Sequence, residues 1–340
     1  MMFIFRADGN AKIGVGHLMR CLSVAKTMPD KEKVLFVCAD EESVQTVCQH
    51  GLKAIALHTD YKNMDEEIPL LEKLWKTPKE RTFFVDSYYV TDAYIEFLCS
   101  YGTVFLMDDM QNHPYPADVI INYNLYAHND AYTQIYKHAK RKPVCYLGGK
   151  FIPLRREFKD SKIEINDSVK NVLITTGGGD VDNIAGEILD EIYRTDINYY
   201  VVVGRFSPHL NEWIERSNEQ TNVKVLYDVQ NMAELMQSCD LAITAGGSTI
   251  YELVALGIPF ICFAYAKNQE MLVQYIAENQ IGASAGNWHV NQENARRIIG
   301  QKFYELVEVK EKRQEYSQKM YSMIDGRGAE RIVQKLIETK

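Results

Sequence analysis

Two glycine-bearing junctions set the frame for this 340-residue chain. A short apolar run from Met2 to Phe5 leads into Arg6-Ala7-Asp8-Gly9-Asn10-Ala11-Lys12-Ile13-Gly14-Val15-Gly16-His17, after which the pattern turns helical. Far downstream, a second apolar run ending at Thr244 leads into Ala245-Gly246-Gly247-Ser248-Thr249-Ile250-Tyr251-Glu252. A strand, a glycine loop and a helix start, in that order, gather open backbone N–H groups at the positive end of a helix dipole, a setting for an anionic ligand. Only the first junction also delivers an imidazole. A base in one half and an anion cradle in the other predict a two-domain enzyme that works on a nucleotide-linked substrate in a cleft between its domains.

The bulk properties narrow the choice. With 46% hydrophobic and 25% charged residues and a mean hydropathy of −0.27, the chain reads as soluble and globular, long enough for two cores. A net charge of −8 argues against sequence-independent nucleic-acid binding, which needs clustered Lys and Arg. The seven cysteines are scattered, with no CxxC pair and no zinc spacing, and read as reduced thiols of a cytoplasmic protein. The start of the chain has no basic segment ahead of a long apolar run, so neither export nor a membrane span is expected.

Along the first half, strand-like runs at 2–7, 33–39, 53–57, 82–86, 103–107 and 118–122 alternate with amphipathic stretches at 17–28, 41–50, 65–76 and 91–100. That alternation predicts βαβ units and a parallel sheet. A Gly/Pro-punctuated stretch around Tyr146 to Arg155, followed by the polar run 159–168, is read as the interdomain linker. A second series follows, with strands at 171–175, 198–203, 223–226, 240–244 and 260–263 and helices at 181–194, 208–218, 231–237, 248–256 and 270–280. The expected organisation is a domain over 1–150 carrying the histidine, a second over 151–320, and a closing helix within 321–340 that packs back on the first. The fold class is α/β, with two Rossmann-like domains.

His17 is the sharpest candidate for chemistry: it follows two glycines that let a ligand approach the backbone, and it sits at a helix start that favours a neutral imidazole. Taken alone it reads equally as a capping or packing histidine; the glycines and Asp8 favour catalysis. Asp8 either orients the ring, binds substrate, or simply makes an Asp-Gly turn. Gly246, Gly247, Ser248 and Thr249 form the phosphate candidate, with Glu252 one turn on, where a carboxylate accepts both hydroxyls of a ribose. Asn268 and Gln269 add polar groups at a neighbouring strand end. Gly177-Gly178-Gly179-Asp180 repeats the junction, as a ligand loop or a plain turn. Asp86-Ser87-Tyr88 points to the rim that holds His17. Asp108 and Asp109 are adjacent carboxylates without a third ligand at metal spacing and read as a cap-and-turn pair.

These segments together resemble a known family. Arg6-Ala7-Asp8-Gly9 with Ile13-Gly14-Val15-Gly16-His17 and Arg20-Cys21-Leu22 is similar to the N-terminal signature of the UDP-2,4-diacetamido-2,4,6-trideoxy-β-L-altropyranose hydrolases, the PseG/SpsG family. Val85-Asp86-Ser87-Tyr88, Asp108-Asp109, Leu147-Gly148-Gly149, Leu154-Arg155, Thr176 to Asp180, Ala245 to Thr249 with Glu252, and Asn268-Gln269 continue the match in order. The resemblance implies a MurG-like GT-B fold and hydrolysis at the anomeric carbon of a UDP-sugar with inversion, giving UDP and a free sugar. It places His17 as the base that activates water, Tyr88 and Asn268 near the sugar, and Gly247, Ser248 and Glu252 at the diphosphate and ribose; Arg6, Asp8, Gly16 and Gln269 are further candidates for the sugar site, and Gly178, Gly246 and Thr249 for the UDP site. No metal or other cofactor is expected, because UDP leaves readily and a helix start stabilises its charge.

Two other readings share parts of this pattern. A GT-B glycosyltransferase would use the same nucleotide site but pass the sugar to an acceptor; the lack of a basic cluster in the first 150 residues disfavours a lipid-linked one. A noncatalytic UDP-sugar-binding protein would not need His17.

Overall fold

The computed structural model describes residues 2–75, 81–177, 180–204, 207–227 and 229–338. The chain divides into two compact units, one formed by Met1–Arg156 with Gly326–Lys340, the other by Glu157–Asp325.

The first unit is built on seven parallel strands: β1 (Met2–Ala7), β2 (Val34–Cys38), β3 (Lys53–Ala56), β4 (Arg81–Asp86), β5 (Gly102–Met107), β6 (Val119–Asn122) and β7 (Val144–Leu147), in the order β3-β2-β1-β4-β5-β6-β7. The central strands are buried along nearly their whole length, as in Phe3-Ile4-Phe5 and Phe83-Phe84-Val85, because helices cover both faces of a parallel sheet. Most crossovers carry a helix with one apolar stripe, while the connection from β5 to β6 shows none among the described residues. The helix Gly16–Thr27 supplies Leu18, Cys21, Leu22 and Ala25 at such spacing.

The second unit repeats the plan with β8 (Asn171–Thr175), β9 (Asn198–Val202), β10 (Val223–Leu226), β11 (Leu241–Ala245), β12 (Phe260–Ala264) and β13 (Ala283–Asn287), in the order β10-β9-β8-β11-β12-β13, all parallel. The expected α/β class with two Rossmann-like sheets is borne out. Each sheet reverses its direction of growth once, between β1 and β4 and between β8 and β11. At these switch points the loops after the two strands diverge and leave a crevice at their carboxyl ends.

Two strands escape the sequence reading. β7 is an edge strand whose Val144 is exposed, and its last two residues, Tyr146 and Leu147, fall in the stretch read as linker. β13 reads Ala-Ser-Ala-Gly-Asn, with Gly286 at φ +73°, and lacks the β-branched and aromatic residues that mark strands. The helix Lys310–Met320 has a poorly defined apolar face, and the buried Arg313 fastens it instead. Its guanidinium donates to the carbonyls of Leu306 at 2.6 Å, Asn166 at 2.8 Å and Asp167 at 3.0 Å, the first of these in the last turn of the helix Gln292–Glu308.

The helix Gly328–Glu338 completes the first unit. Ala329, Ile332, Val333 and Leu336 make its buried stripe, it packs on Gly16–Thr27, and Arg331 Nη1 donates to the Lys150 carbonyl at 3.0 Å. Its first residue must be glycine, since a Cβ on Gly328 would lie 2.0 Å from the Ile152 carbonyl oxygen. Gly328→Ala is accordingly expected to destabilise the first unit by about 1–3 kcal/mol, the usual range for overpacking. Urea denaturation checks this; an unchanged midpoint would show that the helix start moves aside freely.

Candidate active site

At the first switch point, His17 lies in the first turn of its helix and faces the end of β4. Its Nδ1 is 2.6 Å from Asp86 Oδ1. Asp86 is buried, and it also accepts from Arg20, through Nη2 to Oδ1 at 2.6 Å and through Nε to Oδ2. Burial alone would push the Asp86 carboxyl up, but the Arg20 guanidinium, with His17 beside it, holds it well below the usual carboxylate range. His17 Nδ1 is thus turned toward Asp86, and it also lies 2.9 Å from Arg20 Nη2. Tyr88, half-exposed, sets its ring edge-on to the imidazole, with centroids 4.4 Å apart at 84°. The Tyr88 hydroxyl donates to Asp109 Oδ2 at 3.3 Å, and Arg20 Nη1 reaches the same oxygen at 2.7 Å. Asp109 is thus part of the same constellation, while Asp108 is buried and accepts from the Met110 and Gln111 amides and from the Tyr132 hydroxyl at 2.8 Å.

Asp8 and Arg6 depart from the sequence reading. The carboxylate that orients His17 is Asp86, not Asp8. Asp8 accepts from the Ala39 amide at 2.7 Å and from Arg6 Nη1 at 2.5 Å. Arg6 does not reach the pocket: its guanidinium is 2% exposed, and Nε and Nη2 are taken by the fully buried Glu67, which also accepts from the Tyr94 hydroxyl at 2.8 Å. Burial disfavours the Arg6 charge, but Asp8 and Glu67 reverse this and keep it ionised. Arg6 is a brace beneath Asp8 and is not placed for substrate contact. Above this layer opens a cavity of about 230 Å³, with Asp8, His17 and Asp86 on one side and Lys12, Tyr61 and Tyr89 among the other lining residues. Gly16 opens the helix with ordinary φ, and a Cβ there would meet nothing within 4 Å, so neither strain nor packing explains the glycine.

The second unit gathers the remaining candidates at the ends of β11 and β12. Gly246 donates to the Phe263 carbonyl and Gly247 to that of Ala245, both at 2.8 Å. The expectation that the glycines leave their own amides open is thereby corrected. The amides without a partner among the described residues are those of Ser248 and Thr249, at the head of the helix Thr249–Leu256. Gly246 is required by packing, since its Cβ would lie 2.8 Å from Val273 Cγ2; a Cβ on Gly247 would meet nothing within 4 Å. Glu252 is half-buried, one turn beyond Ser248. Asn268 is exposed at the end of β12, whereas Gln269 is buried and its Oε1 accepts from the Tyr265 amide at 3.1 Å, a bracing role instead of the ligand-facing one expected. Gly178 lies outside the described residues. After β8, Asp180 caps the helix Ile184–Ile192 by accepting from the Ile184 and Ala185 amides. No group of three His, Cys, Asp or Glu side chains is set to hold a metal among the described residues.

Sequence reading brings Asp86 to the rim that holds His17 without pairing it to the ring, and gives Arg20 and Glu67 no role of their own. Arg20 stands three residues after His17, on the same helix face, and that spacing was the available signal. Glu67 had none, because its charged partner Arg6 is 61 residues away, with the Tyr94 and Thr59 hydroxyls its other donors.

Comparison with known proteins fits this geometry. The family described as "Glycosyltransferase family 28 C-terminal domain" matches residues 159–335. The chain is 26% identical over 321 residues to protein MJ1062 of Methanocaldococcus jannaschii, covering 88% of this chain and 64% of that one, so it spans less than two thirds of that relative. It is 26% identical over 279 residues to the UDP-2,4-diacetamido-2,4,6-trideoxy-β-L-altropyranose hydrolase of Campylobacter jejuni, covering 82% of this chain and 97% of that enzyme. Among solved structures, MurG of Acinetobacter baumannii superposes with a TM-score of 0.69 at 12% identity, over 99% of both chains. The last similarity shows the GT-B fold.

The buried brace generates a test. Glu67→Ala leaves Arg6 with one carboxylate in place of two, and the expected loss is about 3–5 kcal/mol, as for other broken buried ion pairs. Denaturant midpoints of the variant and the parent measure it, and a loss below about 1 kcal/mol, the value of a surface pair, would remove the brace from the account.

Proposed function

Since the chain belongs to the family of the glycosyltransferase family 28 C-terminal domain and takes the GT-B fold, we propose that it hydrolyses a UDP-linked 2,4-diacetamido-2,4,6-trideoxy sugar at the anomeric carbon, with inversion. The observation that carries this reading is the His17–Asp86 pair at the mouth of a cavity on the first unit.

In this proposal His17 Nε2 takes a proton from water as the water oxygen attacks the anomeric carbon. The carbon–oxygen bond to the β-phosphate breaks, and UDP leaves with the electron pair. Asp86 stabilises the imidazolium that forms, as a carboxylate already ionised and already aligned does without rearrangement. Tyr88 walls the ring. UDP needs no general acid, because the diphosphate is stable as an anion. The open amides of Ser248 and Thr249 and the dipole of their helix serve its charge, and Glu252 serves the ribose. This scheme accounts for one base in place of the two carboxylates of an ordinary glycosidase. A transferase would share every feature except the water.

Incubation with UDP-2,4-diacetamido-2,4,6-trideoxy-β-L-altrose in EDTA, followed by proton and phosphorus NMR, is expected to show UDP and an α-configured free sugar as the first product. Unchanged substrate would reject the proposal, and turnover only with an added acceptor alcohol would favour the transferase. His17→Ala is expected to lower kcat by about 10²–10⁴ with UDP affinity unchanged. Gly247→Val, placed where a side chain meets no protein, should keep its stability and weaken UDP binding by about tenfold or more (~1.4 kcal/mol). Calorimetric titration with UDP reads both.

A further inference from the structure

We propose that Arg20 is the positioning residue for the base: it grips both oxygens of Asp86, so that Oδ1 meets His17 Nδ1, its own Nη2 lies 2.9 Å from that nitrogen, and through Asp109 it also fixes the hydroxyl of Tyr88. The inference rests on the reading of His17 as base and adds to it a residue that this reading leaves without a task.

The geometry is specific to a guanidinium. Nε and Nη2 make a two-pronged contact with one carboxylate while Nη1 contacts Asp109 Oδ2 at 2.7 Å and the Tyr123 hydroxyl, and the Arg20 carbon sits 5.2 Å from the centroid of the Tyr123 ring. An ammonium group is a point charge and cannot hold two carboxylates in one plane. Asp109 depends on the same cation, because its other oxygen, Oδ1, is buried without a hydrogen-bond partner. The charged and titratable groups around the imidazole are Arg20 and Cys21 on its own helix, Asp8 and Lys12 after β1, Asp86, Tyr88 and Tyr89 after β4, Asp109 after β5, Tyr123 after β6, and Tyr61 and Lys62 across the cavity. Among the described residues, Arg20 is the one permanent cation paired with Asp86.

Removing that cation leaves the His17–Asp86 pair with an uncompensated negative charge, and the pair then takes up a proton at higher pH. Whether the proton settles on the ring or on the carboxyl, the base is disabled. Activity should therefore fail at a higher pH as pH is lowered.

The test compares Arg20→Gln and Arg20→Lys with the parent, in the free protein and in turnover. In the free protein, NMR follows the His17 ring nitrogens and the Asp86 carboxyl carbon with pH. In Arg20→Gln, proton uptake by the pair and the acid limb of kcat/KM are expected to move up by about 1–3 on the pH scale, the usual effect of one adjacent charge. In Arg20→Lys the limb stays near its original position, but kcat falls about tenfold or more with KM unchanged, from misplacement of the pair. A folded Arg20→Gln protein with the parent's titration and acid limb overturns the proposal. If that variant does not fold, Arg20→Lys decides, since parental kcat there also overturns it. Should the parent fail to hydrolyse the sugar nucleotide, the reading of function falls, and the NMR titration alone still decides the role of Arg20.

Discussion

A carboxylate kept ionised inside protein, Asp86, is the constraint on which the first unit is arranged. Taking such a charge from water costs several kcal/mol unless it is paired and fully hydrogen-bonded. Arg20 and His17 meet that requirement from one helix, which must then lie across the end of β4 with both residues on its lower face. The helix is held there by its apolar stripe and by the helix Gly328–Glu338 packed on it. The same device recurs under β1, where Arg6 is shared by Asp8 and Glu67. In each case one guanidinium stands between two carboxylates, so each cluster keeps a surplus negative charge next to the cavity.

The second unit works with dipoles instead of charges. Its loop after β11 uses the amides of Gly246 and Gly247 to close the turn on neighbouring carbonyls, and this exposes the amides of Ser248 and Thr249 at the head of a helix. Gln269 braces the loop from β12. Open amides at a helix head favour an anion without burying a counter-charge.

Much of this was legible in the sequence, and the exceptions have physical reasons. The buried parallel strands announce themselves as apolar runs between glycine loops, and eleven of the thirteen are placed within a residue or two. β7 and β13 are not, because an edge strand needs little apolar surface and β13 is made of small residues. His17 is conspicuous because glycines flank it. Its partner is not, since Asp86 lies 69 residues away and only the pairing of β1 with β4 brings the two together. Arg6 misleads for the opposite reason: a charged residue in a glycine-bearing motif beside a loop suggests ligand contact, whereas the side chain points beneath the sheet end into an ion pair that sequence distance hides.

The discontinuity of the first unit has a consequence for biogenesis. Its sheet is complete by Leu147, yet the helix that covers Gly16–Thr27 is not synthesised until residues 328–338, after the whole of Glu157–Asp325. At typical translation rates of about 5–20 residues per second, the nascent first unit waits roughly ten seconds or more with that apolar surface bare. The second unit is continuous and meets no such delay. The helix that closes the first unit is therefore made only after the whole second unit, and a ribosome stalled between them would leave one unit finished and the other exposed to chaperones and proteases.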